Sequence, residues 1–135
     1  MDRRSGDPLE LRIGLGVPGL MPEDLDRLQS DDGADIDWYR AELEASRMLA
    51  WGVYAGAERV GVVLMRAEGR EVVIVAAQAR VPGGRGMSHV LPVIEAFCRD
   101  RGATSIRIHT TKPGVVRMFN RAGYRVSETV MRKAL

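Results

Sequence analysis

The chain has 135 residues, 45% apolar and 28% charged, a size and balance that suit one globular domain able to bury its own core. Its formal charge of +2 is carried almost wholly by arginine, since Lys112 and Lys133 are the only lysines, and no dense basic stripe with interleaved aromatics marks a nucleic-acid binder. A single cysteine, Cys98, excludes an intrachain disulfide or a multi-cysteine metal site, and neither histidine segment has metal-ligand spacing, so no metal is expected.

No apolar run has membrane-spanning length, and residues 1–8, including Arg3 and Arg4, read as a loose polar start without a signal-peptide core. A cytoplasmic protein with no membrane partner is the expectation, with residues 1–135 forming one domain. Leu9–Ile13 alternates as a first strand, broken by Gly14, Gly16, Pro18 and Gly19. Glu23–Gln29 predicts a short helix, Ser30–Gly33 interrupts it, and Asp35–Met48 predicts a second helix with Trp38, Leu43 and Met48 facing inward.

The period then changes. Leu49–Tyr54, Val60–Met65 and Glu71–Ala79 predict three strands joined by short turns, an antiparallel meander. The last contains Val72-Val73-Ile74-Val75-Ala76-Ala77, an apolar run expected of a central strand covered on both faces. Pro82-Gly83-Gly84-Arg85-Gly86 follows, then a helix through about Arg101 whose Val90, Leu91, Ile94, Phe97 and Cys98 recur at helical spacing. Pro92 is harmless if it lies in the first turn of that helix. Cys98 falls on the apolar side, which suits a buried structural thiol. Ser105–His109 predicts a strand parallel to the one before the helix, because a helical crossover joins them. Pro113–Arg121 predicts a last helix, stopped by Ala122-Gly123, and Tyr124–Arg132 a closing strand.

Glycines between a strand and a helix N-terminus free several backbone N–H groups to face one anion, although the same loop also serves as a plain turn. The order of elements decides between them. It resembles the GCN5-related N-acetyltransferase (GNAT) family, most specifically from Ala50 to Lys133. Gly84-Arg85-Gly86-Met87 with Leu91 is similar to the family's acetyl-CoA turn. Phe119-Asn120-Arg121-Ala122-Gly123-Tyr124 is similar to its late Tyr-x-x-x-Gly-Phe stretch, and Val130-Met131-Arg132-Lys133 to its final strand.

That resemblance implies an α/β fold: a mixed, mostly antiparallel sheet flanked by helices, with a parallel splayed pair at the cofactor site. It implies acetyl-CoA as acyl donor, its pyrophosphate on the backbone of Gly83, Gly84, Arg85, Gly86, Met87 and Ser88. The pantetheine arm would lie along Gln78, Ala79 and Arg80 as if it were another strand. The implied activity is N-acetylation of an amine on a small molecule or protein; a non-catalytic CoA- or partner-binding protein is the alternative, and transfer of another acyl group a third reading. The chain departs from the family at Val81, where Arg or Gln is common, at Ser88, which replaces a glycine and can cap the helix, at Lys112 for asparagine, and at Phe119, where a tyrosine often serves as acid.

Among candidate bases Glu71, His109 and Glu128, His109 stands out, since imidazole chemistry suits proton transfer near neutrality and the residue ends a strand beside the presumed cofactor. Capping a strand end is its plainer role. Tyr124 offers a hydroxyl, but its position suits the core. Asp31, Asp32, Asp35 and Asp37 beside Trp38 and Tyr39 would suit a cationic amine; a solvated acidic loop is the plainer account. The short stretch after Gly123 leaves little room for two closing strands, so a homodimer sharing strands is among the expectations.

Overall fold

The computed structural model describes residues 13–29, 35–81 and 86–135. Five strands, β1 (Ile13–Pro18), β2 (Leu49–Ala55), β3 (Glu58–Glu68), β4 (Glu71–Ala79) and β5 (Ser105–Ile108), lie in one sheet in chain order. The first three pairings are antiparallel and β4–β5 is parallel. Helices α1 (Pro22–Gln29) and α2 (Ile36–Glu44) stand on one face, where Leu28 and Tyr39 pack with Met48, Ala50, Val62 and Leu64. On the other face α3 (Leu91–Asp100) and α4 (Pro113–Arg121) bury Leu91, Ile94, Cys98 and Phe119 against Val53, Val63, Met65 and Ile74. The mixed, mostly antiparallel sheet expected from the sequence is the observed architecture.

Strand β4 explains its own composition. Side chains of Val72, Ile74 and Ala77 pack with the α3 side, whereas those of Val75 and Ala76 pack with the α1 side, so a nearly unbroken apolar run is what a strand covered on both faces requires. Gly61 of β3 pairs with Ala79 at the far end of β4. A Cβ at Gly61 would run into the Gln78 carbonyl oxygen and come within 2.6 Å of the Ala79 Cα. Gly61→Ala is expected to destabilise the protein by about 1–3 kcal/mol, because backbone and not a flexible side chain must yield. Urea denaturation checks this, and an unchanged midpoint would show that the two strands part freely there.

Four expectations need correction. The first strand covers Ile13–Pro18, so Gly14, Gly16 and Pro18 are inside it; residues 9–12 lie outside the described residues, as does Ser30–Gly33. Gly16 belongs there because the Tyr54 ring crosses it, with Cε1 2.6 Å from where a Cβ would stand. Pro18 is tolerated because β1 is a sheet edge whose pairing is already irregular between Leu15 and Pro18. The second helix stops at Glu44, after which Ser46 takes a left-handed φ of 59° and the chain turns Met48 into the core from outside the helix. Trp38 is 40% exposed, and its neighbour Tyr39 takes the inward position.

Finally, Tyr124–Arg132 is not a strand: Tyr124 is held near α4 and α3, but no ladder forms beyond it. The β-branched residues there lack a partner strand, and alternation alone forms no sheet. After the glycine loop, a 3₁₀ turn at Met87–His89 precedes α3, which begins at Leu91 and places Pro92 in its first turn, where no kink follows.

Candidate functional site

The parallel pair comes apart in the middle of β4. Pairing with β5 runs from Glu71↔Ser105 to Ile74↔Ile108 and stops. One residue on, Val75 is the extra residue of a bulge, since Met65 pairs with Ile74 while Leu64 pairs with Ala76. A bulge bends its strand and sharpens its twist, so it steers the second half of β4 away from β5. Among the described residues Val75–Ala79 continues with β3 as its only strand partner, and no described strand covers the other edge over Gln78 and Ala79.

The chain after β4 returns to the same end of the sheet. The 3₁₀ turn packs against β4, and within it His89 N–H donates to the Gly86 carbonyl and Val90 N–H to that of Met87. The N–H groups of Gly86, Met87 and Ser88 donate to no described residue. Three donors with no described acceptor, ahead of a helix N-terminus, make a natural anion seat. Arg80 is exposed beside it, its N–H bonded to the Val60 carbonyl. Gly83, Gly84 and Arg85 lie outside the described residues. Ser88 does not cap α3: the cap position is Val90, and the Ser88 hydroxyl instead lies 3.4 Å from His89 Nδ1. The 3₁₀ turn moves the start of the helix past it.

His109 follows the last residue of β5 and is exposed at the mouth of the splay. Two of the other candidates, Glu71 and Tyr124, are committed elsewhere. Glu71 stands at the opposite end of β4, accepting from Ser105 Oγ at 2.9 Å and Arg107 Nη1 at 2.7 Å. Tyr124 donates its hydroxyl to Glu95 at 2.9 Å; burial above all, and then this bond, pushes its pKa well up, so it is a poor proton donor. Phe119 is buried edge-on against the Tyr124 ring, centroids 4.9 Å apart.

Two residues of the acidic patch are described. Asp35 caps α2 by accepting from Trp38 N–H at 3.0 Å, Asp37 is exposed, and Asp31 and Asp32 lie outside the described residues. Cys98 is buried as expected, its Sγ 3.9 Å from Met65 Sδ, and burial pushes the thiol pKa up, away from nucleophile chemistry. A cavity of about 1040 Å³ lies at the other end of the sheet, bordered by Trp51, Met65, Phe97 and Arg101. It is remote from the splay, and the guanidinium of Arg101 stacks 3.5 Å over the Phe97 ring at its wall. Sequence reading also passed over Asp24 and Arg59, a buried ion pair that ties α1 to β3. Among the described residues no helix is long and apolar enough to cross a membrane.

A mixed sheet whose parallel pair opens beside an N–H-rich turn defines the class: this is an acetyltransferase fold. No family model matches the chain, and no curated protein does. Solved structures do. The chain is similar to an acetyltransferase of Bacillus subtilis in complex with CoA, at 27% identity over 87% of this chain and 78% of that one, with a TM-score of 0.66. It is also similar to the putative acetyltransferase YycN of Bacillus subtilis (16% identity, 92% and 99% covered, TM-score 0.62). A GNAT family acetyltransferase of Streptococcus pneumoniae aligns at 16% identity, with 92% and 98% covered and a TM-score of 0.60. The chain is similar in fold to the GCN5-related N-acetyltransferases.

Proposed function

We propose that this protein transfers an acetyl group from acetyl-CoA to an amine of a small molecule or protein. The observation that carries the reading is the edge of Val75–Ala79 that no described strand covers, beside the N–H groups of Gly86–Ser88 that donate to no described residue, at one end of one sheet. An extended amide-bearing arm can add to such an edge as a strand would, and a pyrophosphate suits the N–H cluster. The Bacillus subtilis structure in complex with CoA supports the same assignment of ligand class.

Acetyl-CoA would supply the acyl group as a thioester. Gln78, Ala79 and Arg80 would hold its arm, and Gly83, Gly84, Arg85, Gly86, Met87 and Ser88 its phosphates. Unpaired N–H groups on the β4 edge are the kind of donors that stabilise charge developing on a carbonyl oxygen. His109, exposed just after β5, would take the proton of the attacking amine.

Gly86 offers a clean test. Its φ is −117° and nothing lies within 4 Å of a Cβ built there, so Gly86→Asp fits the backbone while placing a negative charge in the anion seat. Calorimetry is expected to show acetyl-CoA binding to the wild type and a loss of at least about tenfold, roughly 1.4 kcal/mol, in the variant at unchanged melting temperature. A folded wild type that binds no acetyl-CoA would end the proposal. A second reading, CoA binding without catalysis, is favoured by Phe119 and by the engaged Tyr124 hydroxyl. Turnover of any amine decides against it.

A further inference from the structure

The acetyl-transfer reading leaves the cavity of about 1040 Å³ at the other end of the sheet without a role, although it is large enough for a small organic ligand. Its bed is apolar. Leu49 and Trp51, two residues apart on β2, share a face, and Leu49 pairs with Met65 of β3. Phe97 of α3 makes a wall, its ring edge-on to that of Trp51 with centroids 4.8 Å apart. Leu49 is 53% exposed, so the bed is open to a solute.

Six charged side chains border this bed, and four of them cancel. Arg47 pairs with Glu42 at 2.7 Å and Arg66 with Glu68 at 2.8 Å. Glu68 also takes Arg107 at 2.8 Å, which leaves it no charge for a third arginine. Arg70 and Arg101 remain, and neither makes an ion pair with a described residue. Both are held near the cavity by their backbones and neighbours. The Arg70 carbonyl accepts from Thr104 N–H at 2.8 Å, which ties the β3–β4 turn to the loop after α3. The Arg101 guanidinium lies 3.5 Å from the Phe97 ring centroid and 5.8 Å from that of Trp51, and its Nη1 donates to the Phe97 carbonyl at 3.2 Å. A guanidinium already placed on an aromatic wall loses little freedom when it meets a carboxylate, whose two oxygens match its fork.

We propose that this cavity binds a small aromatic carboxylate, its ring on Trp51 and Phe97 and its charge against Arg101 and Arg70. A cationic ligand would meet two uncompensated arginines. A neutral one would cover them without giving them an acceptor of equal strength. The proposal does not rest on the acetyl-transfer reading.

Calorimetry with 3-phenylpropionate, 3-phenylpropionamide and 3-phenylpropylamine tests it, since the three probes share a body and differ only at the polar end. The acid is expected to bind with a Kd of about 1 mM or tighter, the amide at least about tenfold more weakly, and the amine not at all. Arg70→Gln/Arg101→Gln changes two exposed side chains and should weaken the acid at least about tenfold while leaving the amide as it was. If the double variant does not fold, Arg70→Gln alone decides, because that side chain makes no bond to a described residue. In Trp38→Phe, where Trp51 is the one remaining tryptophan, the acid should shift the emission. No binding of the acid, or equal binding of acid and amide, overturns the proposal. So does acid binding that survives the double glutamine variant but is lost in Gly86→Asp, because the carboxylate then sits at the N–H cluster at the other end of the sheet.

Discussion

Asp24→Ala is expected to cost about 3–5 kcal/mol of folding stability, the range for removing one partner of a buried ion pair. Asp24 is 0% exposed and the Arg59 side chain 7%. Arg59 approaches it with two nitrogens, Nη2 to Oδ2 at 2.6 Å and Nε to Oδ1 at 3.2 Å, a fork that fits a carboxylate. Burial by itself would pull the Arg59 pKa down, but hydrogen bonds to Asp24 and Tyr54 outweigh it and hold the guanidinium above its ordinary value. Among the described residues alanine would leave that cation buried with the Gly19 carbonyl at 3.0 Å and the Tyr54 hydroxyl at 3.4 Å as its remaining hydrogen-bond partners. It would also remove the acceptor for Met21 N–H, at 2.8 Å, which closes the start of α1. Urea melts of Asp24→Ala and of Asp24→Ala/Arg59→Met provide the measurement. The double variant should lose less than the single one, since removing both charges removes the unpaired cation. A cost below about 1 kcal/mol for Asp24→Ala would show a solvated pair of surface type.

The same ion pair shows where local sequence stops being informative. Asp24 reads as an ordinary acid in a first helical turn; its partner is 35 residues away, and no period or motif links the two. Gly52 looks like a weak point in a strand until Arg59 is laid over it, with Cζ 2.7 Å from where a Cβ would stand. Gly16 reads as a breaker for the same reason, because the Tyr54 ring that requires it comes from another strand. Elements that carry their own cause were legible. β4 is apolar because both its faces are covered, α4 is bounded by Pro113 and Gly123, and the parallel β4–β5 pair follows from a helical crossover.

The candidate site divides along the same line. A strand, a glycine loop and a helix in succession placed it at the end of β4. The bulge at Val75 that opens the edge depends on register against β3 and left no local mark. Tyr124–Arg132 shows the converse error, since its alternation is real but a strand needs a neighbour. Ser46 shows a third kind: a left-handed residue that is not glycine ended α2 where composition still favoured helix.

His109→Gln is expected to lower kcat for an amine substrate by roughly 10²–10⁴-fold, the usual contribution of a positioned general base, with acetyl-CoA affinity unchanged. The argument is one of position, and two of the other candidates are engaged elsewhere. Ile108 makes the last pair with β4, and the next residue stands where the strands diverge. Glu71 is bound to Ser105 and Arg107 at the other end of β4, and the Tyr124 hydroxyl is bound to Glu95. Neither can reach the splay without breaking those bonds. His109 is exposed, so glutamine fits without repacking and a loss of rate is not a loss of fold. An unchanged kcat would assign proton removal to water and reduce His109 to the end of a strand.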